Sequence, residues 1–325
     1  MTDQWEVLIP IQIDPAGPES IADFATCTSI DDYGSYHAAL NDIEHYEAVI
    51  VRTAELDADL IAKADRLQII AKHGTGLDNV DIEAASERDI VVCNTPGANA
   101  QSVAEHAIAL LFGVHRKLHM ADRHVRAGNW ERSMLTGHEI KGDTLGLLGF
   151  GDIAKIVASL GRGIGMDVLA YDPFQPDDAF PDYVEQIEAV PELFDRSTAV
   201  SIHVPLNDET RHMVSTAELR SLGENGVLIN TSRGAIVEEA ALLETLEEGS
   251  LGGAGLDTFA EEPPGEDHPM YARDELLLSP HVGGTTHQAL ERMSLKAAEN
   301  IRSVYEGGIP ESTVNAEAID RGRSR

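Results

Sequence analysis

The fold is decided by the stretch Thr144-Leu-Gly-Leu-Leu-Gly149-Phe-Gly151-Asp-Ile-Ala154. Its first five residues have the unbroken apolar character of a buried parallel strand, and the glycines after them predict a tight turn into a helix. Gly149 permits the turn, Gly151 lets the backbone approach a phosphate, and Ala154 stands where the helix meets the strand. The stretch predicts a dinucleotide-binding strand, turn and helix, with the helix N terminus directed at the pyrophosphate.

A carboxylate follows this loop at the distance that such a site requires. Asp172 lies 21 residues after Gly151 and ends the next predicted strand, in Leu-Ala-Tyr-Asp-Pro. A carboxylate at this point accepts hydrogen bonds from ribose hydroxyls and repels a 2′-phosphate, which favours NAD over NADP. The alternative is a glycine turn that happens to precede a surface aspartate.

Short apolar runs that alternate with amphipathic stretches predict an α/β fold with parallel sheets, Rossmann-like or flavodoxin-like. Amphipathic spacing predicts one helix from Ala100 to about Val125, begun by Asn99 and ended by Gly128, and another from Gln288 to Tyr305. We expect two domains: residues 1–98 with 288–325 as the substrate domain, and residues 99–287 as the NAD-binding domain. The predicted strands are Val7–Pro10, Ala48–Arg52, Leu67–Lys72, Asp89–Cys93, Thr144–Leu148, Asp167–Tyr171, Ala199–His203, Gly226–Asn230, Gly253–Asp257 and Leu276–Ser279.

Three predicted strand ends carry charged or titratable side chains that suit the reduction of a 2-oxo acid. The residues are Arg233, the pair Glu261 and Glu262, and His281. A guanidinium binds a carboxylate bidentately, and a histidine supplies the proton that the carbonyl oxygen needs as a hydride arrives. A carboxylate on the other imidazole nitrogen fixes the tautomer, a role for Glu262 with Glu261 as the neighbouring candidate. Taken singly, each residue is more simply a surface charge.

Other histidines are weaker candidates. His203 ends a strand and is expected to line the cofactor pocket, and His73 lies in a glycine-rich turn where it is a candidate for substrate contact. We interpret His106, His115 and His119, on the long helix, as packing or surface groups. The sequence has no zinc or calcium spacing and no Gly-x-Ser-x-Gly elbow, so we expect no metal and no hydrolase.

The chain has 325 residues and a net charge of −32, which excludes several classes of partner. Such a charge repels polyanions, so we expect neither nucleic-acid nor membrane binding. Molar salt shortens the screening length to ~3 Å and relieves the self-repulsion, so we expect a halophilic source. Two cysteines and the lack of a signal peptide or an apolar span predict a cytoplasmic protein.

Several ordered motifs resemble the D-isomer-specific 2-hydroxyacid dehydrogenases, particularly phosphoglycerate dehydrogenase and its relatives. They span residues 45–305 and are Gly74-Thr-Gly-Leu-Asp-Asn-Val-Asp81, Asn94-Thr-Pro-Gly-Ala-Asn-Ala-Gln-Ser-Val-Ala-Glu105, the Gly149–Ala154 loop, His203-Val-Pro-Leu-Asn-Asp-Glu-Thr210, Asn230-Thr-Ser-Arg-Gly234, Leu256-Asp-Thr-Phe to Glu262-Pro, and Pro280-His281. The resemblance implies two α/β domains with the NAD cleft between them. It also implies a homodimer formed through the long helix and the segment next to it.

The resemblance also assigns roles to individual residues. It implies Arg233 as the carboxylate anchor, His281 as the acid and base, and Glu262, which stands directly before Pro263, as its partner. Arg52, Lys72, His73 and Gly74 are expected at the substrate. The cofactor residues are expected to be Thr75, Gly149, Gly151, Asp152, Ile153, Asp172, His203, Val204, Pro205, Thr210, Thr231, Ser232, Asp257, Gly283 and Gly284.

The substrate itself is left open by the sequence. Our first expectation is a D-3-phosphoglycerate dehydrogenase without a regulatory domain, with Arg52 and Lys72 near a distal anion. The alternatives are a glyoxylate or hydroxypyruvate reductase or a general D-2-hydroxyacid dehydrogenase. Formate dehydrogenase is disfavoured because glutamine there replaces the Glu262 partner. An NAD-sensing, corepressor-like binding protein is the alternative of another class, and turnover would separate it from an enzyme.

Overall fold

The computed structural model describes residues 4–323, which form two compact units. The first unit comprises residues up to 99 together with those from 285 onward, and the second comprises residues 100–284. Each unit is built on one parallel β-sheet with helices on both faces.

The sheet of the first unit follows the flavodoxin-like strand order β2-β1-β3-β4-β5. Its strands are β1 (Trp5–Ile9), β2 (Ala25–Ser29), β3 (Ala48–Val51), β4 (Ile69–Lys72) and β5 (Val91–Cys93). Its helices are α1 (Ala16–Ser20), α2 (Tyr36–Asn41), α3 (Ala58–Lys63), α4 (Ile82–Glu87), α11 (His287–Tyr305) and α12 (Ala316–Arg323).

Two cores cover the two faces of this sheet, and alternate residues of each strand enter opposite cores. In β3, Ile50 packs with Ala297 and Ile301 of α11, whereas Val49 and Val51 pack in the other core. Both faces of the strand are therefore buried, which explains its unbroken apolar sequence.

The sheet of the second unit follows the order β12-β11-β10-β9-β6-β7-β8, which reverses between β6 and β9 as in a Rossmann fold. Its strands are β6 (Thr144–Leu148), β7 (Asp167–Tyr171), β8 (Val184–Gln186), β9 (Ala199–Ile202), β10 (Val227–Asn230), β11 (Gly253–Leu256) and β12 (Leu276–Leu278). Its helices are α5 (Ala100–His115), α6 (Leu118–Arg126), α7 (Asp152–Gly163), α8 (Val190–Arg196), α9 (Thr216–Leu222) and α10 (Glu239–Glu247).

The structure confirms the predicted α/β class with Rossmann-like and flavodoxin-like parallel sheets, and it corrects three local expectations. The predicted helix from Ala100 to Val125 is two helices, because Lys117 adopts a left-handed conformation with φ of 50°. The strands β2 and β8 were not predicted, since Ala25–Ser29 is largely polar and Val184–Gln186 is very short. Among the described residues, no helix is long and apolar enough to cross a membrane.

Candidate active site

The carboxyl ends of β10, β11 and β12 bring the predicted catalytic side chains into one region of the second unit. Nδ1 of His281 and Oε2 of Glu262 lie 2.7 Å apart, the length of a charge-assisted hydrogen bond. The other carboxylate oxygen of Glu262 accepts a hydrogen bond of 3.1 Å from the Phe259 amide. With Nδ1 held by Glu262, Nε2 of His281 is the nitrogen left for a reacting group. Glu261 makes no such contact.

Electrostatics keep Glu262 ionised. Burial alone would raise the pKa of this carboxyl, but the hydrogen bond with His281, the Phe259 amide and the charge of Arg233 together hold it below the usual 4.5. Gly234, the neighbour of Arg233, lies against the backbone of Phe259 and Ala260, so the turn of Arg233 adjoins the loop of Glu262. The three predicted catalytic residues therefore form one cluster.

The turn that carries Arg233 is organised by its own neighbours. The Asn230 side chain accepts a hydrogen bond from the Ser232 amide (3.0 Å) and donates one to the Arg233 carbonyl (2.9 Å). A Cβ atom on Gly234 would lie 1.9 Å from the Phe259 carbonyl carbon, so only glycine lets this turn reach the loop of Glu262. The loop of Glu262 is also bonded to α10, because Glu239 accepts a hydrogen bond of 2.8 Å from the Ala260 amide.

Asp257 is a buried carboxylate bonded entirely within the protein. It accepts hydrogen bonds from the amides of Val282 (2.9 Å) and Gly283 (2.7 Å) and from the Ser279 hydroxyl (2.6 Å). Burial opposes its ionisation, but these donors, with His106, outweigh burial and hold the pKa of Asp257 below the usual 3.8. We predicted Asp257 and Gly283 as cofactor residues, and the structure shows them fixing the loop around His281.

The strand-turn-helix of the dinucleotide motif has the geometry that its sequence predicts. Gly149 has φ of +95°, and a Cβ there would lie 2.9 Å from the backbone of His203 and Val204. Gly151 is the N-cap of the 12-residue helix α7, no side chain caps it, and a Cβ there would meet nothing within 4 Å. Asp152 and Ile153 are the first residues of this helix. The uncapped amides and the open space fit a pyrophosphate.

Asp172 is held at the end of β7 by backbone donors. Its carboxylate accepts hydrogen bonds from the amides of Phe150 (2.8 Å) and Phe174 (3.0 Å). Each oxygen has a second lone pair, so these two bonds leave acceptor capacity for ribose hydroxyls. The carboxylate is thereby oriented beside the phosphate-binding turn.

Three buried polar atoms follow strands β9, β10 and β11 and have no partner among the described residues. They are Nε2 of His203, Oγ1 of Thr231 and Oγ1 of Thr258. Buried polar atoms are nearly always hydrogen-bonded, so an unpaired group here fits a site for a polar ligand. Burial also lowers the pKa of His203 to about 3, so this imidazole is neutral at physiological pH.

The remaining cofactor candidates of this unit shape the loops above the sheet. The Ser232 hydroxyl donates a hydrogen bond of 2.5 Å to the Val204 carbonyl, which ties the β10 turn to the end of β9. The buried Thr210 hydroxyl donates to the Pro205 carbonyl at 2.6 Å. Gly284 ends the second unit. These contacts are structural, and a cofactor role for these residues stays a prediction.

In the first unit, Arg52 follows β3, Lys72 is the last residue of β4, and His73, Gly74 and Thr75 come directly after it. The Lys72 ammonium is buried and donates to the Arg52 carbonyl (2.5 Å) and to the Asn79 side chain. Arg52 is half-buried and donates to Thr285 Oγ1 at 2.8 Å. Lys72 therefore supports the backbone that carries Arg52.

His73, Gly74 and Thr75 form the turn after β4. The Gly74 amide donates to the Thr95 hydroxyl at 3.1 Å, and the Asn94 side chain donates to the Thr75 carbonyl at 2.9 Å. His73 Nε2 lies 3.2 Å from the Leu290 carbonyl, so Nε2 carries the ring hydrogen. Burial and the charge of Arg52 lower the pKa of His73 to about 4, so it remains neutral near pH 7.

Two residues of the site were missed by the sequence analysis. His106, which we interpreted as a packing or surface group, lies 2.9 Å from the Ser279 hydroxyl and 3.3 Å from Oδ1 of Asp257. The sequence did contain a signal for these two residues, because His106 lies one turn before Leu110 on the buried face of α5 and Ser279 follows a strand.

Within residues 4–323, no cluster of three His, Cys, Asp or Glu side chains could hold a metal ion.

A family model describes the greater part of the second unit. Residues 108–283 match the D-isomer specific 2-hydroxyacid dehydrogenase NAD binding domain. The matched region contains the phosphate-binding turn, Asp172 and the cluster of Arg233, Glu262 and His281. The predicted NAD cofactor is thereby confirmed.

Individual relatives carry different substrate names. An (S)-sulfolactate dehydrogenase of Chromohalobacter salexigens is 42% identical, over 78% of this chain and 83% of its own. A D-3-phosphoglycerate dehydrogenase of Archaeoglobus fulgidus is 36% identical, over 86% of this chain and 54% of its own. The crystal structure of a glyoxylate reductase from Paecilomyes thermophila is 29% identical with a TM-score of 0.85, covering 98% of this chain and all of that one (100%).

Proposed function

Because the chain belongs to the D-isomer-specific 2-hydroxyacid dehydrogenases, an enzyme family, we propose that its active site consists of Arg233, Glu262 and His281. The reaction is the NAD-dependent interconversion of a D-2-hydroxy acid and its 2-oxo acid. The observation that carries the proposal is the 2.7 Å hydrogen bond between His281 and Glu262 beside the charge of Arg233. We place the reaction in the cytoplasm, since Cys27 and Cys93 are free thiols.

The three side chains divide the work of reduction. The Arg233 guanidinium binds the substrate carboxylate and orients the 2-oxo group. His281 delivers the proton from Nε2 to the carbonyl oxygen as that oxygen gains negative charge. Glu262 holds the imidazole through Nδ1 and stabilises its charged form. NADH, when bound, supplies the hydride.

The second unit also provides the residues that we propose for NAD. The turn of Gly149 and Gly151 with the amides of Asp152 and Ile153 suits the pyrophosphate, and Asp172 suits the ribose. The unpaired atoms of His203 and Thr231 suit the polar groups of the nicotinamide half. The loop residues Val204, Pro205, Thr210, Ser232, Gly283 and Gly284, with Asp257, support these positions, and Thr75 is proposed from the first unit.

For the substrate, we propose a 2-oxo acid with a second anionic group on C3, and 3-phosphohydroxypyruvate is the first candidate. Arg52 is the proposed ligand of that group, since its hydrogen bond to Thr285 leaves further guanidinium donors. The sulfolactate and phosphoglycerate dehydrogenases are named for substrates of this kind. Lys72 has the supporting role, and His73 and Gly74 shape the turn beside it.

An unphosphorylated substrate is the second candidate. The glyoxylate reductase structure covers nearly the whole chain and is named for a substrate without a distal anion. In that case Arg52 would serve only the fold through its bond to Thr285. Glyoxylate and hydroxypyruvate are the test compounds for this alternative.

A panel of 2-oxo acids separates these candidates. We expect NADH oxidation at 340 nm, in ~2 M KCl to screen the acidic surface, to be fastest by kcat/KM with 3-phosphohydroxypyruvate or 3-sulfopyruvate. Arg52→Gln should then raise KM for these two acids about tenfold or more, the cost of a lost charge-assisted hydrogen bond, and leave glyoxylate unaffected. Arg88→Gln, which removes an exposed charge from the same unit, is the control. A preference for glyoxylate that Arg52→Gln leaves unchanged would contradict the distal-anion proposal.

A further inference from the structure

Helix α5 lies unusually close to strand β11, and glycines make this approach possible. A Cβ atom on Gly255 would lie 2.8 Å from Cβ of Leu110, and one on Gly253 would lie 2.9 Å from the Val114 side chain. Leu110 and Val114 are one turn apart on the buried face of α5. The next turn toward the N terminus places His106 at the carboxyl end of β11, beside Asp257.

The hydrogen bonds there have a defined direction. The Ser279 hydroxyl lies 2.6 Å from Oδ1 of Asp257, and an ionised carboxylate only accepts, so Ser279 gives its single hydrogen to Asp257. The same hydroxyl lies 2.9 Å from Nε2 of His106 and must accept there. Nε2 of His106 therefore carries a hydrogen, and this nitrogen also lies 3.3 Å from Oδ1 of Asp257.

Asp257 also forms hydrogen bonds with the loop that carries His281. Its side chain accepts from the amides of Val282 and Gly283, and its backbone carbonyl accepts from the His281 amide at 2.9 Å. His281 itself is in the left-handed region with φ of 52°, which is uncommon for a residue with a side chain. Such a conformation persists only where the surroundings determine it, and here Asp257 bonds the loop on both sides of His281.

We propose that His106 and Ser279 are positioning residues that hold the Asp257 carboxylate, and through it the loop that places His281 for proton transfer. The inference rests on the proposed role of His281. Neither residue contacts the reacting atoms in this scheme. Their contribution is the orientation of His281 through a chain of hydrogen bonds from α5 to the loop after β12.

The test is a set of three variants assayed with the best 2-oxo acid of the panel. His106→Leu and Ser279→Ala each remove a donor that Asp257 depends on, so kcat should fall about tenfold or more, as for a lost bond to a charged group. KM for the 2-oxo acid should change by less than about twofold, because the proposed contacts of Arg233 and Arg52 with the substrate are intact. His106→Gln should restore most of kcat, since its amide N–H can take the place of Nε2–H.

A control on the same helix separates positioning from packing. His115 is buried in α5, and neither of its ring nitrogens has a hydrogen-bond partner within residues 4–323, so His115→Leu should leave kcat unchanged. Circular dichroism and thermal melting check that each variant is folded. If His106→Leu fails to fold, Ser279→Ala, which alters a loop, carries the test alone.

The outcomes distinguish this inference from the proposed function. The positioning role is overturned if folded Ser279→Ala keeps full kcat, or if His106→Leu loses kcat and His106→Gln does not restore it. In either case the proposed function still stands, provided that His281→Ala has lost its turnover. If His281→Ala itself keeps its turnover, the proposed function fails and this inference fails with it.

Discussion

At the scale of single residues, the chemistry depends on how a half-exposed histidine is fixed. His281 is restrained through Nδ1 by Glu262 and through its backbone by Asp257. Both carboxyls have a pKa below the usual value, so both are ionised wherever the enzyme is expected to work. A carboxyl whose pKa is lowered on folding stabilises the folded state at any pH above its usual pKa. This stabilisation is lost only as the pH falls through the lowered value.

The lowered pKa values of Glu262 and Asp257 predict how activity depends on pH. The kcat/KM for 2-oxo acid reduction, which uses protonated His281, should not fall as the pH is lowered from ~7 to ~5, because Glu262 and Asp257 remain ionised. Measurement should stop near pH 5, because the net charge falls to zero at the pI of about 4.6 and a protein without net charge tends to associate. A decline with a midpoint between pH 5 and 7, in protein shown to be folded by circular dichroism, would contradict these ionisation states.

At the scale of helices and strands, the buried parallel strands were predictable, whereas two of the four edge strands, β2 and β8, were not. The sequence of β10, Val-Leu-Ile-Asn, is apolar because both faces of a central strand are covered. The strands β2 and β8 lie at sheet edges, where polar residues are tolerated. The break between α5 and α6 was hidden because the amphipathic spacing continues through Lys117, while the left-handed backbone there reflects tertiary context.

Sheet topology also determines which site residues could be predicted from the sequence. Arg233, Glu262 and His281 follow strands in an open parallel sheet, so their convergence is a consequence of topology. His106 comes from a helix whose distance to β11 depends on Gly253 and Gly255, and sequence spacing alone does not give that distance.

The segment of α6 and the turn after it presents apolar side chains to solvent. Leu118, Val125, Trp130 and Met134 are all exposed, and Trp130 keeps 71% of its surface accessible. Exposed apolar residues that cluster in this way are typical of an interaction surface, and we propose that a second copy of the chain covers them.

Sedimentation velocity tests this proposal. We expect a dimer in ~2 M KCl for the natural sequence and a shift toward monomer for Trp130→Ser with Leu118→Ser, because buried apolar area is the main driving force of association. Ile309→Ser, a change at an exposed apolar residue of the first unit, should leave the dimer intact. A monomer for the natural sequence would contradict a dimer.

At the scale of the whole molecule, charge dominates. The chain has 56 acidic residues and 24 lysines and arginines, which leaves a net charge of −32. At ~0.1 M salt the screening length is ~10 Å, and neighbouring carboxylates on the surface repel one another. The folded state brings these charges together, and we therefore propose that the protein is adapted to high salt.

This proposal predicts a salt optimum. The thermal midpoint and kcat/KM should both rise as KCl increases from ~0.1 M to ~2 M, where the screening length is near 3 Å or below. Sucrose also stabilises folded proteins by exclusion but carries no charge, so it should give a smaller increase and serves as the control. An activity optimum below ~0.2 M KCl would count against adaptation to salt.

In the proposed reaction, His281 is held by Glu262 and transfers the proton to a substrate anchored by Arg233. The most direct measurement is kcat for NADH-dependent reduction of the best 2-oxo acid by His281→Ala, with NADH affinity followed by fluorescence and His45→Ala as an exposed-histidine control. Loss of a general acid costs about 10²–10⁴-fold, so we predict a fall of that size in His281→Ala with NADH affinity unchanged. Turnover within a few-fold of the natural enzyme would contradict proton transfer by His281.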